Sequence, residues 1–198
     1  MKQDVYVYTH AGALYINLTN RCTNECVFCV RSKMDGIDGS NLWLENEPEA
    51  ADIIALLGDM EGFEEVVFCG FGEPLIKLDE VLAIAKYVKE KGKKTRVNTN
   101  GHASAYHQKD VPQLLKGLID VVSISLNATD AKRYQQLCRS IYHTEAFNHV
   151  LDFARDCVKA GIRTKLSVVD IIGKEEVDQA RQIAEEIGAE LKVRHYIK

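Results

Sequence analysis

The feature that most constrains this 198-residue chain is a regular exchange between two hydrophobic periods. Six short stretches rich in β-branched residues read as strands: "LYINLT" (14–19), "EVVFCG" (65–70), "TRVNTN" (95–100), "DVVSISLN" (120–127), "TKLSVVDI" (164–171) and "ELKVRHYI" (190–197). Between them, "EPEAADIIALLGDM", "LDEVLAIAKYVKEKG", "AFNHVLDFARDCVKAG" and "KEEVDQARQIAEEIG" carry helical spacing, and three of these reach a glycine suited to a C-terminal cap. Such alternation predicts right-handed crossovers, and so a parallel sheet with helices outside it. The opening "VYVYTHAGALYI" alternates on both sides of "THAG" and predicts a short antiparallel hairpin ahead of the first parallel strand. No repeat, low-complexity tract or linker interrupts the pattern. With 46% hydrophobic residues, the length suits one domain over residues 1–198.

Parallel strands covered on both faces normally read as continuous apolar runs, yet several of these alternate. Every second residue is polar: Asn17 and Thr19; Arg96, Asn98 and Asn100; Ser123, Ser125 and Asn127; Lys165 and Ser167; Lys192 and Arg194. Their neighbours, among them Ile16, Leu18, Val97, Ile124, Leu166 and Val168, are apolar. Side chains alternate across a strand, so one face packs on helices while the other is expected to line a wet cavity. A closed eight-stranded barrel fills its interior with branched side chains; six strands with a polar face suggest an open, partial (β/α)6 TIM-like barrel. The competing architecture is a doubly wound flat sheet with these polar residues at exposed strand ends.

Twenty-five Lys+Arg against 29 Asp+Glu give a net charge of -4, so no overall basic field advertises nucleic acid as a partner. The start lacks a basic and apolar secretory signal, and no apolar run approaches the roughly 18 residues of a membrane span. The expectation is a soluble, cytoplasmic protein. Six cysteines in that setting are ligands or buried apolar residues before they are disulfides. Cys22, Cys26 and Cys29 follow the first parallel strand, in a loop at its C-terminal end, where α/β folds place their ligands. Thiolates select zinc, copper(I) or iron–sulfur clusters, and three of them leave one coordination position open. On residues alone two alternatives stand: a zinc site closed by Cys69 or a distant histidine, and a redox pair made of Cys26 and Cys29.

The CxxxCxxC spacing, with Phe28 just before the last cysteine, resembles the cluster loop of radical S-adenosylmethionine (radical SAM) enzymes. "GFGEP" (70–74), "NTNG" (98–101), "SLNA" (125–128) and "IIGKEE" (171–176) end successive strands and extend the likeness over essentially the whole chain. "ALYINLTNRCTNECVFC" and "GSNLWL" resemble, more finely, small radical SAM proteins found beside or fused to TatD-type hydrolases. The resemblance implies that Cys22, Cys26 and Cys29 hold three irons of a 4Fe-4S cluster, that SAM chelates the fourth, and that reductive cleavage yields a 5′-deoxyadenosyl radical for hydrogen abstraction. Within it, Gly70 and Gly72 let the backbone approach the methionine moiety, and Glu73 accepts from its ammonium. Thr99 and Asn100 are candidates for its carboxylate, Ser125 and Asn127 for the ribose, and Phe28, Val169 and Ile171 for the adenine. The family often has two adjacent glycines before the glutamate; here Phe71 takes the first place.

Further expectations follow from the remaining residues. Cys69, Cys138 and Cys157 are scattered and read as core, so a second cluster is not expected. Arg96, Lys165, Lys192 and Arg194 on the inner face suit an anionic substrate. The long segment 31–48, which carries Trp43, reads as a lid, a docking surface or packing on the rim. His195 is positioned to reach the cofactor mouth. The implied partners are SAM, a low-potential donor such as flavodoxin or ferredoxin, and a small-molecule or peptide substrate. A glycyl-radical activase is a narrower version of this reading. A non-enzymatic iron–sulfur or zinc module on a barrel-like scaffold is the alternative class, and a metal-free sugar-phosphate enzyme is a third.

Overall fold

The computed structural model describes residues 4–196. Strands β1 (Val7–His10) and β2 (Ala13–Ile16) form the hairpin expected at the start. Its turn residues Ala11 and Gly12 both have positive φ, 48° and 77°, the handedness that matches the twist of the flanking strands. A small ribbon of β3 (Gly36–Ile37) and β4 (Ser40–Asn41) follows, then α1 (Ala50–Leu57), β5 (Glu65–Phe68), α2 (Leu78–Glu90) and β6 (Lys94–Thr99). The short helices α3 (Ala103–His107) and α4 (Val111–Leu115) lead to β7 (Val121–Ser125), α5 (Ala131–Cys138), α6 (Glu145–Lys159), β8 (Arg163–Val169), α7 (Gly173–Ile187) and β9 (Glu190–Arg194). The strand expected over 190–197 ends at Arg194, and Ile197 lies outside the described residues.

Strand order separates the two architectures that the sequence leaves open. The sheet runs β1-β2-β5-β6-β7-β8-β9, with β1 antiparallel and every later pair parallel. A doubly wound sheet reverses its order at a switch point; this one never does, so every crossover passes on the same side and the helices form one outer layer. The result is a partial (β/α)6 barrel with β1 and β9 at its two edges. Ile16, Phe68, Val97, Ile124, Leu166 and Val168 pack outward against helix residues such as Ile53, Ile84, Val150 and Phe153 to form the main core.

The inner face departs from the expected wet, uniformly polar surface. Its β1–β2–β5 third is apolar: Tyr8, Tyr15, Val67 and Phe71 form a second cluster with Leu42, and Val30, Ile37 and Trp43 pack against it. Trp43 meets Phe71 edge-on, with ring centroids 5.3 Å apart. The segment around the β3–β4 ribbon is therefore packed onto the barrel interior. Asn17 and Thr19, expected to face a cavity, serve this cover instead. Asn17 is fully buried and donates to the carbonyls of Leu42 (2.8 Å) and Val5 (3.2 Å), while the Thr19 hydroxyl bonds Glu47. The alternation is present, but the wet surface is confined to the strand ends from β6 to β9.

Candidate active site

Apolar strand residues bring the chain to the C-terminal rim of the sheet, and there the backbone leaves in loops. One cavity of about 300 Å³ opens at this rim. Cys22, Cys26, Phe28 and Cys29 line it from the loop after β2; Gly70, Gly72 and Glu73 from the loop after β5. Thr99 and Asn100 line it from the end of β6, Ser125 and Asn127 from β7, and Val169 from β8. Ile171 does not: it packs against the main core, because the chain turns at Asp170–Ile172 and carries it outward.

The cysteine loop is held by groups distant in sequence. Glu25 and Val27 donate backbone N–H groups to the carbonyls of Cys138 and Leu137 at the end of α5, and Ile141 returns one to Thr23. Behind the loop, His102 is 1% exposed, with Nδ1 3.1 Å from the Thr23 hydroxyl and Nε2 3.2 Å from the Ala146 carbonyl. The carbonyl accepts, so Nε2 carries the proton and Nδ1 accepts from Thr23. The Asn100 amide donates to Thr23 Oγ1 (2.8 Å) and lies 3.7 Å from Cys22 Sγ. Arg31 closes the loop by donating to the Asn20 carbonyl at 2.9 Å. Burial pushes the Cys22 thiol up to about 12 and raises that of Cys29; contact with the Cys138 thiol, then burial, raises that of Cys26. Metal loading of this loop must therefore release protons. Among the described residues no three His, Cys, Asp or Glu converge on a single ion.

Gly70 and Gly72 line the cavity, and glycine there also has a reason within the protein itself. A Cβ on Gly70 would lie 2.0 Å from Asn17 Oδ1, and one on Gly72 would lie 2.3 Å from the Thr19 carbonyl and 2.6 Å from that of Arg21. These glycines let the loop after β5 press against the start of the cysteine loop, and Glu73 N–H completes the seam by donating to Arg21 O at 2.8 Å. The Glu73 carboxylate is buried and accepts from Asn100 N–H (2.6 Å), the Thr99 hydroxyl (2.8 Å) and Leu75 N–H (3.1 Å). Burial pushes it up to about 7 against the pull of these three donors. Glu73, Thr99 and Asn100 thus knit three loops together at the cavity wall.

Other residues also line the cavity, of which the sequence had pointed to Asn98, Arg194 and His195. Asn24, Asn98, Cys69, Phe71, Arg194, His195 and Tyr196 also border the cavity. The side-chain oxygens of Asn24, Asn98 and Asn127 are buried without a hydrogen-bond partner among the described residues. An unsatisfied buried acceptor costs about 1–3 kcal/mol, and these three lie beneath the surface of residues that line the cavity. Asn127 holds φ at 57°, a left-handed conformation that asparagine tolerates. Asn24 lies between two of the cysteines, and only that position could have flagged it.

A singly wound parallel sheet with a three-thiol loop over its C-terminal rim defines an α/β barrel of the cofactor-binding kind. Residues 16–187 match the family model of the Radical SAM superfamily, and the chain belongs to that superfamily. It is 30% identical over 179 residues to the GTP 3′,8-cyclase of Corynebacterium glutamicum, covering 85% of this chain and 44% of that protein. It is 29% identical over 175 residues to a probable GTP 3′,8-cyclase of Methanocella arvoryzae, covering 85% of this chain and 51% of that one. The chain thus spans about half the length of these relatives. Streptococcus suis SuiB bound to S-adenosylmethionine superposes with a TM-score of 0.72 at 19% identity, over 93% of this chain and 40% of SuiB. A crystal structure of SuiB with its precursor peptide SuiA gives the same TM-score over 92% of this chain and 39% of that one. Members of the superfamily use a 4Fe-4S cluster and SAM.

Proposed function

We propose that this chain is a radical SAM enzyme in which Cys22, Cys26 and Cys29 hold a 4Fe-4S cluster and the adjoining cavity receives SAM. The observation that carries this reading is one cavity bordered at once by Cys22, Cys26 and Cys29, by Glu73 and by the polar strand-end residues Ser125 and Asn127. SAM brings the matching donors, an ammonium and two ribose hydroxyls, to a wall that offers acceptors. When bound, the cluster supplies a low-potential electron that splits the sulfonium and yields a 5′-deoxyadenosyl radical for hydrogen abstraction.

The protein's own residues do the positioning. Asn127 and Ser125 face the sugar, Phe28 and Val169 flank the base, and Glu73, fixed by Thr99 and Asn100, presents its remaining lone pairs to the ammonium. Phe71 and Trp43 keep the β2–β5 side of the interior dry, which protects a reactive radical from water. An external low-potential donor such as flavodoxin or ferredoxin supplies the electron, consistent with a reducing cytoplasmic setting. The substrate is a small molecule or a peptide, and the finer kinship with TatD-linked proteins belongs to the same reading.

Anaerobic reconstitution tests the proposal. The expected product binds about four iron and four sulfide per chain, and releases 5′-deoxyadenosine when reduced with SAM. Zinc in the thiol loop, with no SAM cleavage after full reconstitution, would favour the non-enzymatic module.

A further inference from the structure

Four basic side chains on the inner face look equivalent in the sequence, and the structure separates them. Arg96 is neutralised by Glu65 at 2.9 Å and also reaches the Tyr15 hydroxyl at 3.4 Å. Lys165 lies 3.6 Å from Glu190, which also takes Arg163 at 2.7 Å. Lys192 is exposed and does not border the cavity. Only Arg194 both lines the cavity and lacks a carboxylate partner among the described residues; its one hydrogen bond runs to Ser125 Oγ at 3.4 Å.

Among the described residues the cavity holds no acid free to neutralise Arg194 from within. Glu73 is the single carboxylate among the described lining residues, and three donors of its own already engage it. Asp170, on the rim, is taken by His195 Nδ1 at 2.8 Å and by Tyr196 N–H at 2.9 Å. These two bonds fasten the residues after β9 across the mouth and fix the backbone next to Arg194. Guanidinium carries five N–H donors, of which Ser125 uses one, so a planar two-pronged face remains.

The geometry points to Arg194 as the anchor for an anionic group, carboxylate or phosphate, carried by a small-molecule substrate of this cavity. This deepens the radical SAM reading and rests on it for the word substrate; the anion site itself stands on Arg194 alone.

The test uses cluster-loaded protein at low salt, titrated calorimetrically with inorganic phosphate and with acetate, each with and without SAM. SAM is titrated separately. Wild-type protein should bind at least one of the anions, and Arg194→Gln should weaken that binding about tenfold or more. Arg194→Lys should recover part of it, and SAM affinity should stay within about twofold in all three proteins. Preference for phosphate identifies a phosphorylated substrate, and preference for acetate a carboxylate. Wild-type protein that takes neither anion overturns the inference, as does Arg194→Gln binding them as wild type does. Loss of SAM affinity in Arg194→Gln also overturns it, because Arg194 would then belong to the cofactor. Failure of wild-type protein to bind SAM would count against the radical SAM reading, and the titrations made without SAM would still decide the anion site.

Discussion

Replacing Gly72 by alanine places the new methyl 2.3 Å from Thr19 O, 2.6 Å from Arg21 O and 2.8 Å from Thr19 C. All three atoms are backbone, so no side-chain rotation relieves the overlap. Overpacking typically costs about 1–3 kcal/mol, and a contact with main chain sits at the upper end. Separating the two loops also strains the bond from Glu73 N–H to Arg21 O, worth about 1 kcal/mol more. The expected loss is therefore about 2–4 kcal/mol, or roughly 5–15 °C in melting temperature for a chain of this size. Circular dichroism of the iron-free protein measures it, with Gly12→Ala as control. Gly12 has φ 77° and nothing within 4 Å of an added Cβ, so that variant carries backbone strain alone, about 1–2 kcal/mol. Because Arg21 adjoins Cys22, Gly72→Ala should also retain less iron. If Gly72→Ala melts with Gly12→Ala and loads iron normally, the close approach is not what fixes glycine at position 72.

Three other outcomes follow from the same site. Alanine at Cys22, Cys26 or Cys29 should abolish stoichiometric iron loading, whereas Cys157→Ala, on α6 in the core, should load fully at a stability cost of about 1–2 kcal/mol; iron and sulfide assays separate them. Glu73→Gln sets an amide N–H₂ against a donor it cannot satisfy, Asn100 N–H or Leu75 N–H with Thr99, so denaturant unfolding of the iron-free protein should show about 2–3 kcal/mol lost. Burial holds His102 at about 4, below its ordinary 6.5, so between those pH values the unfolded chain binds a proton that the folded chain refuses. Wild type should lose up to about 3 kcal/mol relative to His102→Gln as pH falls through that window, and urea melts of both proteins from pH 7 to 4 read the difference. Parallel curves would mean that His102 titrates normally in the fold.

Sequence periodicity carried the scaffold further than it carried the site. The six parallel strands and helices α1, α2, α6 and α7 follow from local alternation and spacing, because each buries a face that its own residues dictate, whereas α5, as short as α1, was not read from the sequence. The five-residue helices α3 and α4 carry less than two turns of pattern, too little to stand out from a loop. The inner face was misjudged where tertiary contact overrides alternation. Asn17 is polar because it must bond the Leu42 carbonyl across 25 residues, a fact invisible within its own strand. The cysteine spacing and strand-end motifs brought their residues to one cavity. The support from Thr23 to His102 spans 79 residues and has no local signature. Gly70 and Gly72 were legible as special, but their close approach to Asn17, Thr19 and Arg21 in a neighbouring segment was not.

The ties between the cysteine loop and the end of α5 bear on what happens when iron is lost. Zinc fingers collapse without their ion because nothing else shapes the chain around it. Here the scaffold around the three sulfurs is organic through and through: main-chain bonds to Cys138 and Leu137, and a neutral imidazole wedged behind Thr23. Oxygen damage should therefore leave an intact, empty mould, and repair becomes a matter of delivering iron and sulfide to a shape that has waited for them.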